Sequence, residues 1–179
     1  MKMRLFIACF MLWLNSSAQL LSWSPSFIQE TSNTIEITAD ATKGNQGLKD
    51  YTPVTDVYVH IGCITTSSTS SSDWKYSKFT WATTNALANA PQISANKWKY
   101  TITGGLRNFF GITNSTEKIV KIAILFRSGS GNNVLRNTDG SDMYIPVYET
   151  GLNVRIDNPF KQPTYNPQPE FVNWVIGNT

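Results

Sequence analysis

The sequence predicts an all-β protein: a single antiparallel β-sandwich of the immunoglobulin-like kind with about seven to nine strands. Short segments that alternate apolar and polar residues recur after residue 19, and clusters of Gly, Asn, Pro and Ser separate them. A helical pattern is almost absent there, apart from one short turn predicted over residues 106–111. The 179 residues suffice for one domain whose core needs no disulfide.

The first strands are predicted from strict alternation. Residues 34–39 alternate two isoleucines with polar neighbours. Residues 56–61 place two valines and an isoleucine on one face, and Tyr58 and His60 on the other, because successive strand side chains point to opposite sides. We therefore expect Tyr58 and His60 to face outward from the core.

The later strands follow from apolar content. Residues 118–126 are almost continuously apolar, which predicts a central strand buried on both faces. Residues 97–103 alternate, and we expect Trp98 in the core. The alternation is less regular over residues 75–81, although Phe79 and Trp81 are in phase. Further strands are predicted at residues 134–137, 142–148 and 152–157.

Two connections have a clear turn composition. Asp139 and Gly140 predict a hairpin between the strands on either side of them. Residues 65–72 are eight consecutive Ser or Thr residues, which predict a flexible, exposed loop.

Residues 1–18 read as a signal peptide, with a basic start, ten apolar residues and a small-residue exit ending at Ala18. Ten apolar residues are too few for a membrane anchor, which needs about 20. We therefore expect a secreted or cell-surface protein with no membrane contact after cleavage. The net charge of +3 includes Lys2 and Arg4, so the mature chain carries only +1. So small a charge argues against nucleic-acid binding.

The sandwich domain is predicted over residues 19–157, and the composition changes after it. Four of the chain's eight prolines fall within residues 158–169, which predicts a stiff, extended linker. Residues 170–179 are too few for a domain but rich in apolar side chains, as at the start of a further, truncated domain. The alternative is that this tail folds back on the sandwich.

No catalytic residue is predicted in this chain. His60 is the only histidine, and no nucleophile elbow of the GxSxG type is present. Cys63 and His60 are three apart on one strand, so their side chains point to opposite faces and cannot pair. Cys63 is expected in the core as a small apolar residue.

Aromatic side chains are the most promising functional feature. Trp74 and Tyr76 lie in a polar setting and are expected to be exposed, and Trp81, His60 and Tyr58 are further candidates for sugar binding. An exposed ring beside polar groups suits sugar binding, because the ring stacks on the apolar face of a pyranose while neighbours bind its hydroxyls. The alternative is that Trp81 is simply a core residue and that His60 is a solvated strand histidine.

No cofactor is expected, although three acids are candidates for a calcium site. Asp40 lies in one turn, and Asp139 and Asp142 lie in another. Neither stretch is an EF-hand loop, and turn-forming Asp is the commoner explanation.

Several segments carry a family resemblance: DATKGNQG at 40–47, DVYVHIGCIT at 56–65, SSDWKY at 71–76, and IAILFR at 122–127 followed by DGSDMYIP at 139–146. From residue 21 to about residue 148 the chain resembles the N-terminal, immunoglobulin-like, starch-module-like domain of secreted bacterial α-amylase-family proteins. That resemblance implies a parent glycoside hydrolase acting on α-glucans, with its catalytic barrel downstream of this domain.

The family pattern has Thr and Val where this chain has Ile61 and Cys63, changes that leave the strand intact. The resemblance and the aromatic residues together predict a non-catalytic α-glucan-binding accessory domain. Its partners would be the polysaccharide and the downstream catalytic domain. The alternative is a structural or interaction domain without sugar affinity, and a free-standing hydrolase is a third reading.

Overall fold

The computed structural model describes residues 19–153 of the chain. Eight strands and one five-residue helix are present there: β1 Leu21–Ser24, β2 Thr34–Asp40, β3 Val57–Thr65, β4 Gln92–Ser94, β5 Lys97–Thr103, α1 Leu106–Phe110, β6 Ile119–Ser128, β7 Val134–Leu135 and β8 Met143–Pro146. A single 3-10 turn spans Ala86–Ala88. This content confirms the all-β fold class and the short helical turn. The immunoglobulin-like assignment stays a prediction.

The strands form two antiparallel sheets. The first has the order β1-β2-β5-β4. In the second, β3 pairs with β6 along its whole length. Both β7 and β8 pair antiparallel with β6 as well, so they lie end to end along its other edge. The central position of β6, buried over most of its length, confirms the prediction for residues 118–126.

One hydrophobic core joins the inner faces of the two sheets. Its residues follow the strand period of two, as on β3, where Val57, Val59, Ile61 and Cys63 are fully buried. This places Cys63 in the core, as expected. The other large contributors are Ile35 and Ile37 on β2, Trp98, Tyr100 and Ile102 on β5, and Ile122, Ile124 and Phe126 on β6.

The two aromatic residues of β5 both lie in the core. The indole N–H of Trp98 donates to the Val54 carbonyl at 3.0 Å, and the Tyr100 hydroxyl donates to the Leu87 carbonyl at 3.1 Å. Each buried polar tip therefore has a partner, as a buried aromatic side chain of this kind requires. Burial raises the pKa of Tyr100 to about 12.

The predicted strand over residues 75–81 was wrong. Only Lys75 pairs with β3, in an isolated bridge to Cys63. Tyr76 adopts φ 54° and Ala82 adopts φ 55°, both in the left-handed region. An extended strand cannot continue through such a residue, so no regular ladder with β3 follows the bridge, although the Lys78 N–H still donates to the Ile61 carbonyl.

The predicted hairpin at Asp139-Gly140 was also wrong in its pairing. A tight turn does form, with the Gly140 N–H donating to the Asn137 carbonyl at 2.9 Å. Because β7 and β8 both pair with β6, they do not pair with each other. Residues 136–142 therefore form a short loop between two collinear strands.

The remaining differences concern local boundaries. The sequence pattern missed the short strands β1 and β4. The Ser/Thr-rich stretch is less exposed than expected at its start, since Thr65 ends β3 and is buried. The predicted signal peptide, linker and truncated domain lie outside the described residues, as does most of the strand predicted at residues 152–157. Among residues 19–153, no helix is long and apolar enough to span a bilayer.

Candidate functional site

The outer face of the second sheet is covered by the connection between β3 and the 3-10 turn, residues 74–83, which we call the covering segment. Lys75 exchanges two backbone hydrogen bonds with Cys63, at 2.7 and 2.9 Å. The Lys78 N–H donates to the Ile61 carbonyl at 2.9 Å, and Arg127 donates through Nη2 to the Thr83 carbonyl at 2.8 Å. The segment is thus fixed to β3 at one end and to β6 at the other.

Glycine at position 62 allows this close approach. A Cβ there would lie 2.9 Å from the Lys75 carbonyl oxygen and 3.3 Å from both the Trp74 ring and the Ser77 hydroxyl. On the adjacent strand β6, the side chains on the same outer face are buried as well: Ala123, Leu125 and Arg127. The covering segment therefore turns an outer sheet face into a second, smaller packed layer.

An open depression of about 310 Å³ lies between the covering segment and the loop after β7. Its floor is Leu125, and its other lining residues are His60, Trp74, Ser77, Trp81, Arg136 and Asp142. Three of the five residues predicted to bind sugar therefore line one site: His60, Trp74 and Trp81.

The rings of this site contact one another. His60 stacks on Trp74, with ring centroids 5.5 Å apart and 19° between the planes. Trp81 meets His60 edge to face at 5.1 Å and 85°. The Trp74 indole N–H donates to the Tyr144 hydroxyl at 3.2 Å. As a result Trp74 is half-buried rather than exposed, whereas Trp81 keeps 39% of its surface open.

The electrostatics favour a neutral imidazole at His60. Burial and the nearby positive charge of Arg127 lower the pKa of His60, and the Phe79 backbone and the Asp142 carboxylate offset part of this. The buried Nδ1 of His60 has no hydrogen-bond partner among residues 19–153. The surroundings of His60 thus favour its neutral form.

Two charged side chains form the rim of the depression. Arg136 and Asp142 stand at the two ends of the loop between β7 and β8 and form an ion pair through Nη1 and Oδ1. Both side chains are partly exposed, at 32% and 26%. The pair supplies hydrogen-bond donors and an acceptor side by side at the edge of an aromatic surface.

Tyr58 borders this site without lining it. The guanidinium carbon of Arg127 lies 5.8 Å from the centre of the Tyr58 ring and 5.5 Å from that of Trp81. Arg127 is fully buried, and it donates through Nη1 to the carbonyls of Ser128 and Gly129. Through its hydrogen bond to Thr83, Arg127 also holds the end of the covering segment against β6. Its guanidinium contacts the rings of both Tyr58 and Trp81.

Tyr76 belongs to a different cluster. It is 38% exposed, and its hydroxyl donates to Glu117 at 2.7 Å. The other oxygen of Glu117 accepts from the hydroxyls of Thr65 and Ser67. These three hydroxyl donors lower the pKa of Glu117 to about 2. The Tyr76 hydroxyl thus lies near Thr65, at the end of β3 and five residues beyond His60.

The three acids considered for calcium are each engaged by other protein groups. Asp40 accepts from the backbone and hydroxyl of Thr42 and pairs with Lys97 at 3.5 Å. Asp139 accepts from Ser141 within its turn. Within residues 19–153, no group of three or more His, Cys, Asp or Glu side chains is placed to hold a metal ion.

Sequence reasoning missed Ser77, Leu125, Arg136 and Tyr144. The apolar run over residues 118–126 predicted that Leu125 is buried, but it gave no sign that this side chain lines a depression. The Asp139-Gly140 turn was the available signal for Arg136 and Asp142, because a tight turn brings its two flanks together. No local pattern indicates that Tyr144 contacts Trp74.

The fold and this site define the chain as an all-β sandwich with an aromatic depression on one outer face. No protein-family model matches the chain, and no curated protein matches it.

Proposed function

We propose that this chain is a non-catalytic carbohydrate-binding domain for α-glucan, borne by a secreted enzyme of the α-amylase kind. The observation that carries the proposal is the depression that joins the exposed indole of Trp81 to the Arg136–Asp142 pair. The sequence resemblance described above supports the choice of α-glucan over other polysaccharides.

The physical basis lies in the two faces of a sugar. A pyranose presents an apolar CH face, which an aromatic ring covers, and a rim of hydroxyls, which charged and polar groups bind. Trp81 provides such a ring, and His60 and Ser77 add polar atoms beside it. Because the Nδ1 of His60 is buried, the exposed Ser77 hydroxyl and the Arg136–Asp142 pair are the polar groups best placed to bind sugar hydroxyls.

A second candidate is a structural domain that docks against the downstream catalytic part without binding sugar. The contacts among the rings favour it, because His60, Trp74 and Tyr144 cover parts of one another and so serve packing. Under this reading the depression would be a protein contact site, and Trp81 would be its exposed anchor.

Native affinity electrophoresis of the full chain separates the two candidates. Retardation in gels that contain soluble starch, but not in gels that contain dextran, is the expected result. Trp81→Ala should restore free mobility, whereas Leu87→Ala, which removes an apolar side chain that is 76% exposed on the 3-10 turn, should not. Equal mobility of the wild-type chain in all gels would reject sugar binding in favour of the docking domain.

A further inference from the structure

We infer that the depression holds one pyranose unit, stacked on Trp81 and hydrogen-bonded through two adjacent hydroxyls to the Arg136–Asp142 pair. This inference rests on the proposed function and deepens it, because it says how much of a glucan chain the site can grip. The alternative is an extended platform that binds several consecutive units.

The exposure of the aromatic rings points to a site for one sugar unit. Trp74 has one face against His60, and Trp81 has the guanidinium of Arg127 over one of its faces. Lys121 lies over the ring of Tyr144, with Nζ 5.7 Å from the centroid. Of the rings of Trp74, Trp81 and Tyr144, only that of Trp81 belongs to an exposed residue. Trp81 is therefore the one ring of this site with a large exposed surface, and a single indole stacks on a single sugar ring.

The second exposed aromatic residue of this region belongs to another cluster and does not line the depression. Tyr76 is the other exposed aromatic residue of this region, but its hydroxyl is bound to Glu117, beside Thr65 at the end of β3. Thr65 is five residues beyond His60, about 17 Å along an extended strand. The volume of about 310 Å³ also lies at the low end for small-molecule pockets, which span roughly 300–1,000 Å³.

The ion pair supplies the complement to a vicinal diol. Arg136 uses Nη1 for Asp142, and Asp142 uses Oδ1 for Arg136. Among residues 19–153, neither the Nη2 of Arg136 nor the Oδ2 of Asp142 forms a hydrogen bond. A guanidinium donor and a carboxylate acceptor therefore stand side by side at the rim, which matches two neighbouring hydroxyls that accept from one and donate to the other.

Calorimetric or NMR titration of the full chain with methyl α-glucoside, maltose, maltotriose and maltoheptaose tests the number of units. A single-unit site predicts weak binding of all four. Affinity should rise only about threefold from maltose to maltoheptaose, since the longer chain merely offers more equivalent units. Linked subsites would instead raise the affinity by about a hundredfold or more.

Variants of the rim test the diol contact. Asp142→Asn and Arg136→Met should each weaken maltose binding about tenfold, the effect of one lost charge-assisted hydrogen bond. Glu36→Gln breaks the comparable exposed pair with Lys99 on the first sheet and should leave binding unchanged. The indole N–H resonance of Trp81 should shift on titration of the wild-type chain, a readout that needs no variant to fold.

The outcomes separate the inference from the proposed function. A steep rise of affinity with chain length would overturn the single-unit site while leaving sugar binding intact. Unchanged maltose binding by folded Asp142→Asn and Arg136→Met would overturn the diol contact alone. Binding of none of the four sugars would overturn both the inference and the proposed function.

Discussion

The imidazole of His60 lies nearly parallel to the indole of Trp74, with 5.5 Å between the ring centroids. The two residues come from different parts of the fold, since His60 is on β3 and Trp74 begins the covering segment. Their contact joins the sheet to the segment that covers it. The stability of this contact depends on the protonation of His60, because burial and Arg127 both disfavour the imidazolium.

The protonation of His60 predicts a decline in stability at mildly acidic pH. The pKa of His60 is lowered in the folded state, so the unfolded chain takes up a proton first as the pH falls. Stability is therefore fully present above the unfolded pKa of about 6.5 and declines below it. His60→Phe keeps a ring against Trp74 and should remove this decline. Thermal unfolding between pH 7.5 and 5 measures it, and a flat wild-type profile would contradict the prediction.

Glu117 predicts a second decline at lower pH. Its pKa falls from an ordinary value near 4.5 to about 2 in the folded state. A carboxyl with a lowered pKa contributes stability above its unfolded pKa, and that contribution is lost as the pH falls from about 4.5 toward 2. Glu117→Gln should remove this decline from a plot of melting temperature against pH. Thr65→Val, which removes one hydroxyl donor, should weaken the effect, whereas Thr65→Ser should keep it.

Arg127 should be among the most costly polar residues to replace. Arg127→Met removes the guanidinium donor from the carbonyls of Thr83 and Gly129, and leaves the Ser128 carbonyl with the Gly131 N–H alone. We expect a loss of about 3 kcal/mol or more. Arg127→Lys should also destabilise, because an ammonium cannot reproduce the planar fork. Urea unfolding measures both. Arg136→Lys, at a partly exposed pair, should change stability by less than about 1 kcal/mol.

Gly62 should tolerate no side chain. In Gly62→Ala the new methyl would press against the Lys75 carbonyl and the Trp74 ring, and we expect a cost of about 1–3 kcal/mol. The covering segment should also shift, which would alter Trp fluorescence. Gly111→Asn is the control, because a Cβ there meets open space and Asn tolerates the left-handed backbone at that position. Equal stability of Gly62→Ala and the wild type would show that the segment is held less tightly than the structure indicates.

The parts of the fold that sequence predicted are those governed by strand periodicity. Alternation correctly located β2, β3 and β5, and it separated the buried face of β3 from the face bearing Tyr58 and His60. Apolar continuity located β6. Alternation gave a wrong prediction for residues 75–81, where the left-handed backbone of Tyr76 and Ala82 prevents a regular strand. Residues other than glycine give no clear sequence signal for that conformation.

The candidate site divides in the same way. Sequence chose His60, Trp74 and Trp81 for their chemistry, and the structure places them together. It also chose Tyr76, which directly precedes Ser77, but the structure directs the Tyr76 side chain to Glu117 instead of the depression. Whether neighbouring residues share a site depends on where the covering segment turns, and long-range contacts decide that.

By itself, the sequence determined the all-β class, the inward and outward faces of the long strands, and the supply of aromatic residues. These follow from local rules, because a pleated strand alternates its side chains whatever its partners are. Only the tertiary structure decided that residues 74–83 cover the second sheet and that β7 and β8 lie end to end beside β6. It also decided that Arg136 and Asp142 meet at the rim. Those outcomes depend on contacts between distant segments, which no local pattern contains.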